Sequence, residues 1–281
     1  MSVGPPRKLL ATGMLPFTAA WQQLRPGLRI LMYHRVRPVS QYDQLSVTPS
    51  RFEAQLSVLA ARARIVSLEQ ALAEWKEAPR RPASVAVTFD DGYRDNLLYA
   101  LPALRRLGVP ATVFVTTCFC DQTRVHPRYA GEPGPVHLDW DEVRWLGRQA
   151  GISIGSHGVT HARLAQCTDE ESWQEIVGSR QAIERELGDA APIFCYPSGD
   201  FGAREVRYVR DAGYRAAVTV APGVNRAATD VFSLRRTEMT DRDGPLELRL
   251  KLAGAFDPMH SLLHRRRLSR FSREAGRMGT A

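Results

Sequence analysis

Features that would place the chain in a specialised class of proteins are missing from its 281 residues. Its apolar runs stop well short of the roughly 18–20 residues needed to cross a bilayer, which excludes a transmembrane span. Its four cysteines form neither a CxxC pair nor zinc-finger spacing, which argues against a disulfide framework and a thiolate metal site. Since repeats are missing too, the length and the 44% hydrophobic content predict one large globular α/β domain.

Acidic residues are scarce at the carboxyl end of the chain. The formal net charge is +8, and six arginines beyond residue 260 are accompanied only by Glu274. Because the positive charge gathers in a tail, we interpret it as a solvated or membrane-surface segment and not as a recognition surface. The expected contact is peripheral, with an anionic membrane, and no nucleic-acid partner is expected.

The amino end is less clearly defined. Arg7 and Lys8 precede the apolar segment 9–21, which imitates a signal peptide, but Gly13 and Pro16 interrupt it. We therefore predict a lead-in over residues 1–27, a domain over 28–257 and a poorly ordered basic tail over 258–281. The predicted location is cytoplasmic, peripheral to a membrane, and export by an atypical N-terminal signal stays open. Nothing in the chain fixes its oligomeric state.

Apolar runs of strand length alternate with helix-like segments through the middle of the chain. The predicted strands are 28–33, 84–89, 111–116, 152–155, 192–196 and 215–220. The predicted helices are 49–63, 93–107, 139–150, 169–187 and 204–212. This alternation predicts a parallel sheet, either a barrel or a doubly wound sheet.

Two polar motifs each follow a predicted strand. The first is Thr88–Tyr93 (Thr-Phe-Asp-Asp-Gly-Tyr), and the second is Ser156–His161 (Ser-His-Gly-Val-Thr-His). In a parallel barrel both would lie at the carboxyl end of the strands, where active sites lie. If the second motif turns helically, its histidines share one face and can bind one metal ion together with Asp91.

The neighbouring aspartates predict a division of labour. Asp91 would bind the ion, while Asp90 would stay free to act as a base on water. Each motif alone has a simpler interpretation, since Asp-Asp-Gly is common in turns and two histidines four residues apart occur by chance. Their joint occurrence after two strands favours the catalytic metal site.

These two motifs resemble the first two signatures of the polysaccharide deacetylases, also called NodB-homology or carbohydrate esterase family 4 enzymes. The resemblance extends over about residues 28–240 and includes 110–115, 194–199 and 212–214. The segment 30–36 is similar to the subgroup that contains exopolysaccharide N-deacetylases. The resemblance implies a single-domain distorted (β/α)7-type barrel.

The resemblance also implies an activity. It implies a metal-dependent hydrolase that removes N-acetyl groups from an amino sugar in a polysaccharide, oligosaccharide or glycoconjugate, and that releases acetate. The implied cofactor is Zn²⁺, with Co²⁺ or Ni²⁺ as alternatives, bound by Asp91, His157 and His161. The implied general base is Asp90. The oxyanion or the substrate would be bound by Tyr196, Pro197 and the backbone N–H of Ser198, with Tyr93 either shaping the pocket or packing.

Two positions depart from the family pattern. The third signature, Arg-x-Pro-Tyr-Gly, falls on 195–199, so Cys195 stands where the family has the arginine that orients the base. The fifth signature, Leu-x-His, falls on 234–236, so the general-acid histidine is replaced by Arg236, a poor proton donor.

We hypothesise that His34 supplies the missing acid, as in the exopolysaccharide subgroup, because the first and last strands of a barrel are neighbours. Alternatively, His34 only caps a strand. Two other functions stay open at this stage: a degenerate member that binds carbohydrate or metal without turnover, and a basic membrane-peripheral or nucleic-acid-associated protein whose barrel is only a scaffold.

Overall fold

Buried parallel strands form the centre of the fold. The structure is a computed structural model that describes residues 27–75, 83–124, 129, 131, 132 and 134–263, and the statements below refer to these residues. The strands are β1 (Leu28–Tyr33), β2 (Arg35–Val36), β3 (Ser46–Val47), β4 (Arg64–Ile65), β5 (Ser84–Phe89), β6 (Ala111–Val115), β7 (Ile152–Ser156), β8 (Ile193–Cys195), β9 (Ala216–Val218) and β10 (Arg236–Glu238).

Helices follow most strands of the sheet. The α-helices are α1 (Pro49–Arg62), α2 (Leu68–Trp75), α3 (Leu101–Leu107), α4 (Thr117–Cys120), α5 (Trp140–Gly147), α6 (Asp169–Leu187), α7 (Ala203–Asp211) and α8 (Pro245–Leu252). A π-helical turn covers Asn96–Ala100, and 3₁₀ turns cover Leu164–Gln166, Pro197–Gly199 and Val231–Ser233. Helices α5 and α6 begin with capping boxes, on Asp139 and Thr168, which satisfy the first free N–H groups.

The strand order is β10-β1-β5-β6-β7-β8-β9, with β4 paired to β5, and all these pairs are parallel. The sheet curls into a nearly closed barrel. Leu234, just before β10, donates its N–H to Ala217 O at 2.9 Å and accepts from Thr219 N at 2.8 Å. The first, middle and last strands of the chain therefore bring their carboxyl ends to one mouth.

Two apolar clusters flank the strands. Along β1, Leu28 and Ile30 belong to a cluster shared by the strands and α2, whereas Leu31 and Tyr33 belong to one shared with α1, α3, α5 and α6. Strands buried on both faces are apolar throughout, which is why the sequence shows these strands as continuous runs. Each of the six predicted strands corresponds to a strand of the sheet, whereas β4 and β10 of the same sheet and the helices α2, α4 and α8 were not predicted.

The structure corrects two expectations about segments. Residues 258–263, expected to begin a poorly ordered tail, are helical, and Met259 packs against Phe256. The predicted helix 93–107 begins at residue 94, passes into the π-helical turn and becomes α-helical again at Leu101. Residues 1–26 and 264–281 lie outside the described part, so the lead-in and most of the tail stay predictions. None of the described helices is long and apolar enough to span a membrane.

Candidate metal and catalytic site

Polar side chains from five strands meet at the carboxyl end of the barrel. Asp90 and Asp91 directly follow β5, His157 follows β7, and Cys195 ends β8. His34 follows β1, and Arg236 begins β10. Because β1 lies between β10 and β5, residues from both ends of the chain reach the same mouth.

Asp91, His157 and His161 form a set that we call the metal triad. Oδ1 of Asp91 lies 3.3 Å from Nε2 of His157 and 3.3 Å from Nε2 of His161. Oδ1 of Asp91 is buried and has no hydrogen-bond partner among the described residues. Bonds of about 2.0–2.1 Å at tetrahedral angles separate two ligands of a zinc ion by about 3.3 Å. Since all three ligand atoms also lie within 4.8 Å of one another, they could hold one ion.

The tautomer of His157 supports the same interpretation. Its Nδ1 lies 2.8 Å from the carbonyl oxygen of Cys195, and since a carbonyl can only accept, Nδ1 carries the proton. In the neutral ring, Nε2 then carries the lone pair, which faces Asp91 and is available to an ion. Metal-binding histidines commonly use such a bond to fix the ring and its tautomer.

Left-handed backbone shapes the site. Among the described residues, four that are not glycine have a positive φ, and three of them are Asp91, His161 and Ser198. Strained backbone of this kind tends to gather at functional sites. Gly92 and Gly199 continue the left-handed turns with φ of 64° and 66°. At Gly199 a Cβ would lie 2.3 Å from Val220 Cγ2, so a larger residue would displace the turn.

The His157–His161 segment does not turn helically, which corrects the expectation from its spacing. Residues 157–161 form an irregular loop with φ of +80° at Gly158 and +62° at His161. The loop folds back on itself, so the two imidazole rings approach to 4.9 Å between centroids. The rings converge because of this return and not because they share a helix face.

Asp90 has different partners, in a group that we call the Asp90 cluster: Asp90, Arg236, Cys195 and His34. Arg236 is fully buried and donates Nη1 to Asp90 Oδ1 at 2.6 Å and Nη2 to Oδ2 at 2.7 Å. Its Nη2 also lies 3.1 Å from the Cys195 sulfur. His34 Nε2 lies 4.0 Å from Asp90 Oδ2. The carboxylate thus lies between a fixed cation and an imidazole.

The charges set the ionisation of both carboxylates. Burial would raise the pKa of Asp90, but the charge and hydrogen bonds of Arg236 hold this pKa below its usual value. Burial would likewise raise the pKa of Asp91, but the imidazoles of His157 and His161, when they are protonated, hold this pKa well below its usual value. Both groups are therefore carboxylates near neutral pH. Burial raises the pKa of the Cys195 thiol well above its usual value, so that thiol stays neutral.

Comparison with known proteins places these residues in a family. The family model described as polysaccharide deacetylase matches residues 77–217, half of the chain. The chain belongs to the polysaccharide deacetylase family. The deacetylase is 27% identical over 227 residues to YxkH of Bacillus subtilis (strain 168), whose name places it among the polysaccharide deacetylases. That alignment covers 79% of this chain and 76% of YxkH. The expected family and deacetylase function are thereby confirmed.

Solved structures share the fold. PplD, a Streptococcus pyogenes deacetylase in complex with acetate, matches with a TM-score of 0.71 and 24% identity over 80% of this chain and 98% of that chain. IcaB from Ammonifex degensii matches with a TM-score of 0.66 and 22% identity over 81% and 97% of the two chains. The expectation of a single-domain NodB-type (β/α)7 barrel is confirmed by this likeness.

The remaining predicted site residues of the deacetylase lie around the metal triad. Tyr93 is buried, and its hydroxyl lies 2.9 Å from that of Tyr129 while its ring stacks on His137. The side chain of Tyr196 is also buried and donates to Phe232 O at 3.0 Å. Tyr196 can therefore face a substrate only through its backbone. Pro197 and Ser198 form the turn that follows the carbonyl holding His157.

Sequence reasoning missed the contributions of Arg236 and Glu175. It treated Arg236 as a missing acid and Cys195 as a missing arginine, as two separate losses. In the structure the two positions meet, because Arg236 reaches Asp90 from β10 and its Nη2 lies 3.1 Å from the Cys195 sulfur. The available signal was that the third signature lacks its arginine at Cys195 while the fifth signature gains an arginine at Arg236, on strands of the same barrel. Glu175, which holds the loop of the metal triad, lies in no motif.

Proposed function

We propose that the protein is a metal-dependent N-deacetylase of acetylated amino sugars, with zinc held by the metal triad. The observation that carries this proposal is the buried Oδ1 of Asp91, which has no hydrogen-bond partner among the described residues and stands 3.3 Å from two histidine nitrogens. One carboxylate and two imidazoles are a donor set of catalytic zinc sites, which keep an open position. Co²⁺ and Ni²⁺ suit the same donors.

The protein's own residues then divide the chemistry. When bound, the ion supplies Lewis-acid chemistry at the acetyl carbonyl. Asp90 accepts the proton of the attacking water, and Oδ2 is the oxygen that also faces His34. Arg236 fixes the plane of that carboxylate through two hydrogen bonds. His34 donates a proton to the departing amine, and the backbone N–H of Ser198 stabilises the oxyanion.

The deacetylase family indicates an N-acetylated carbohydrate as the substrate. The altered third and fifth signatures do not remove this chemistry in our proposal, because Arg236 takes the orienting role and His34 takes the acid role.

From the sequence we also propose a cytoplasmic location and a peripheral membrane contact through the basic tail. Removing residues 264–281 would test the tail, and binding to anionic vesicles should be lost while turnover is kept.

The proposed function is tested by acetate release from N-acetylglucosamine oligomers of several lengths. Metal is first removed with a chelator, and Zn²⁺, Co²⁺ or Ni²⁺ is then returned. We expect acetate only after metal is returned, and about 10³-fold less from Asp90→Asn. Acetate release that is unaffected by the chelator would contradict metal dependence. Metal binding without acetate from any oligomer would favour the degenerate binding protein.

A further inference from the structure

The loop that carries His161 has a conformation that its own residues do not stabilise. It contains two left-handed residues, Gly158 and His161, and belongs to neither a helix nor a strand. For residues other than glycine, such backbone persists only when the surrounding structure holds it. The separation of the two histidine nitrogens therefore depends on what holds Val159 and Thr160 between them.

On one side, the carbonyl groups of the loop are bound by helix α4. Thr117 donates its N–H to Gly158 O at 3.2 Å, and Cys118 donates to Val159 O at 3.0 Å. These donors belong to the first turn of the helix, where N–H groups have no partner within the helix. The loop carbonyls thus accept hydrogen bonds from the free N–H groups of α4.

On the other side, the N–H groups of the loop are bound by one carboxylate. Glu175 Oε2 accepts from Val159 N at 3.0 Å and from Thr160 N at 2.9 Å, and Oε1 accepts from Thr160 Oγ1 at 2.6 Å. Glu175 is 8% exposed, and its Oε2 would lie 3.0 Å from a Cβ at Gly158. A buried charged acceptor with two backbone donors forms strong, directional bonds.

The same face of α6 also holds the strand end. Ser179, one helical turn beyond Glu175, accepts a hydrogen bond from Ser156 Oγ at 2.7 Å. Helix α6 therefore contacts the metal triad's segment at two points, before His157 and before His161. Within the described part of α6, Glu175 is the residue that hydrogen-bonds to the part of the segment between the two histidines, opposite the bonds from α4.

We propose that Glu175 is a positioning residue for the metal triad, so that its carboxylate sets the approach of His161 to His157 and Asp91. This inference rests on the proposed metal-dependent function. Residues that orient metal ligands from outside typically change metal affinity by 10–100-fold when they are replaced. Glu175 does not touch the ion or the substrate in this account, so its replacement should lower metal affinity more than it changes the turnover of metal-loaded protein.

The test is a calorimetric titration of Zn²⁺ into metal-free protein, at a temperature where circular dichroism shows each variant folded. We expect Glu175→Ala to raise the Kd for zinc about 10–100-fold. Glu175→Gln keeps one acceptor and should raise it less. The matched control is Glu184→Ala on the same helix, whose 53% exposed side chain pairs only with Arg180 in the described structure, and which should leave the Kd within about twofold.

A second measurement follows the loop itself. In metal-free protein, hydrogen exchange at the amides of Val159 and Thr160 should be faster in Glu175→Ala than in the wild type and the Glu184→Ala control. If Glu175→Ala does not fold, Glu175→Gln and Thr160→Val carry the test. An unchanged zinc Kd with unchanged exchange in folded variants would overturn the proposal. If the wild-type protein binds no zinc, the proposed metal site is refuted instead. Hydrogen exchange at Val159 and Thr160 would still test whether Glu175 holds the loop.

Discussion

Asp90 and Asp91 are neighbours in sequence, yet they lie in opposite electrostatic settings. Asp91 faces two imidazoles, and its Oδ1 has no hydrogen-bond partner among the described residues. Asp90 is neutralised by the buried guanidinium of Arg236, which binds both of its oxygens. The metal triad therefore leaves a place for a cation, whereas the Asp90 cluster already contains one. This difference favours Asp91 as the metal ligand of the proposed function.

The two groups also differ in how the chain assembles them. The metal triad comes from two local motifs. Asp91 lies just after β5, His157 lies just after β7, and His161 lies in the loop that follows β7. The Asp90 cluster draws on β1, β5, β8 and β10, so it exists only when the barrel closes. Cys195 contacts both groups, because its carbonyl holds His157 while its sulfur lies against Arg236 and Asp90.

Apart from the loss of the base in Asp90→Asn, the largest effect that separates the two groups is expected from His34→Asn. Losing the proton donor should lower acetate release about 100-fold, because general acids contribute about 10²–10⁴-fold. The Kd for zinc should stay unchanged, since His34 is not in the metal triad. The rate of acetate release and the calorimetric Kd for zinc, measured on the same preparation, check these two expectations. Unchanged turnover with metal retained would reduce His34 to a strand cap.

A smaller effect is expected from Arg236→Lys. Lysine keeps the charge but cannot hold both oxygens of Asp90 in one plane, so turnover should fall about tenfold with zinc affinity kept. Steady-state kinetics should show the loss in kcat more than in KM. A fall in zinc affinity of the same size would show that Arg236 serves the metal triad as well.

Arg236→Met is the control that removes the charge. A buried carboxylate without its partner should lower the free energy of unfolding by about 3–5 kcal/mol at neutral pH. The lowered pKa of Asp90 means that the pair stabilises the wild type above about pH 4 and loses this effect as the pH falls further. Urea unfolding of metal-free protein from pH 3 to 7 should show the difference shrinking at the acidic end.

The smallest effect is expected from Cys195→Ala. Only the sulfur contacts to Arg236 and Asp90 are lost, and a hydrogen bond contributes about 1 kcal/mol, so turnover should fall no more than about fivefold. Zinc affinity should not change, because His157 is held by the backbone carbonyl. Cys195→Ser should recover most of the loss. A fall in zinc affinity in Cys195→Ala would mean that the two groups are not independent.

The same contrast explains what the sequence could predict. The residues of the proposed metal triad lie in two short motifs, so Asp91, His157 and His161 could be proposed from the sequence, although the helical turn expected for the second motif was wrong. Strand β10 reads Arg-Thr-Glu and has no apolar pattern, so neither the strand nor the position of Arg236 could be predicted. Glu175 lies on a helix with ordinary amphipathic spacing. Its role depends on where α6 packs, which local patterns do not encode.

In the proposed site, Asp91 holds the ion and Asp90 does not. Zinc titration of metal-free wild type, Asp90→Asn and Asp91→Asn by calorimetry tests this directly, because the variants differ by one position and remove the same charge. We predict that Asp90→Asn binds one zinc with a Kd within about threefold of wild type, and that Asp91→Asn loses more than about 100-fold in affinity. Equal losses in both variants, or a larger loss in Asp90→Asn, would contradict the account.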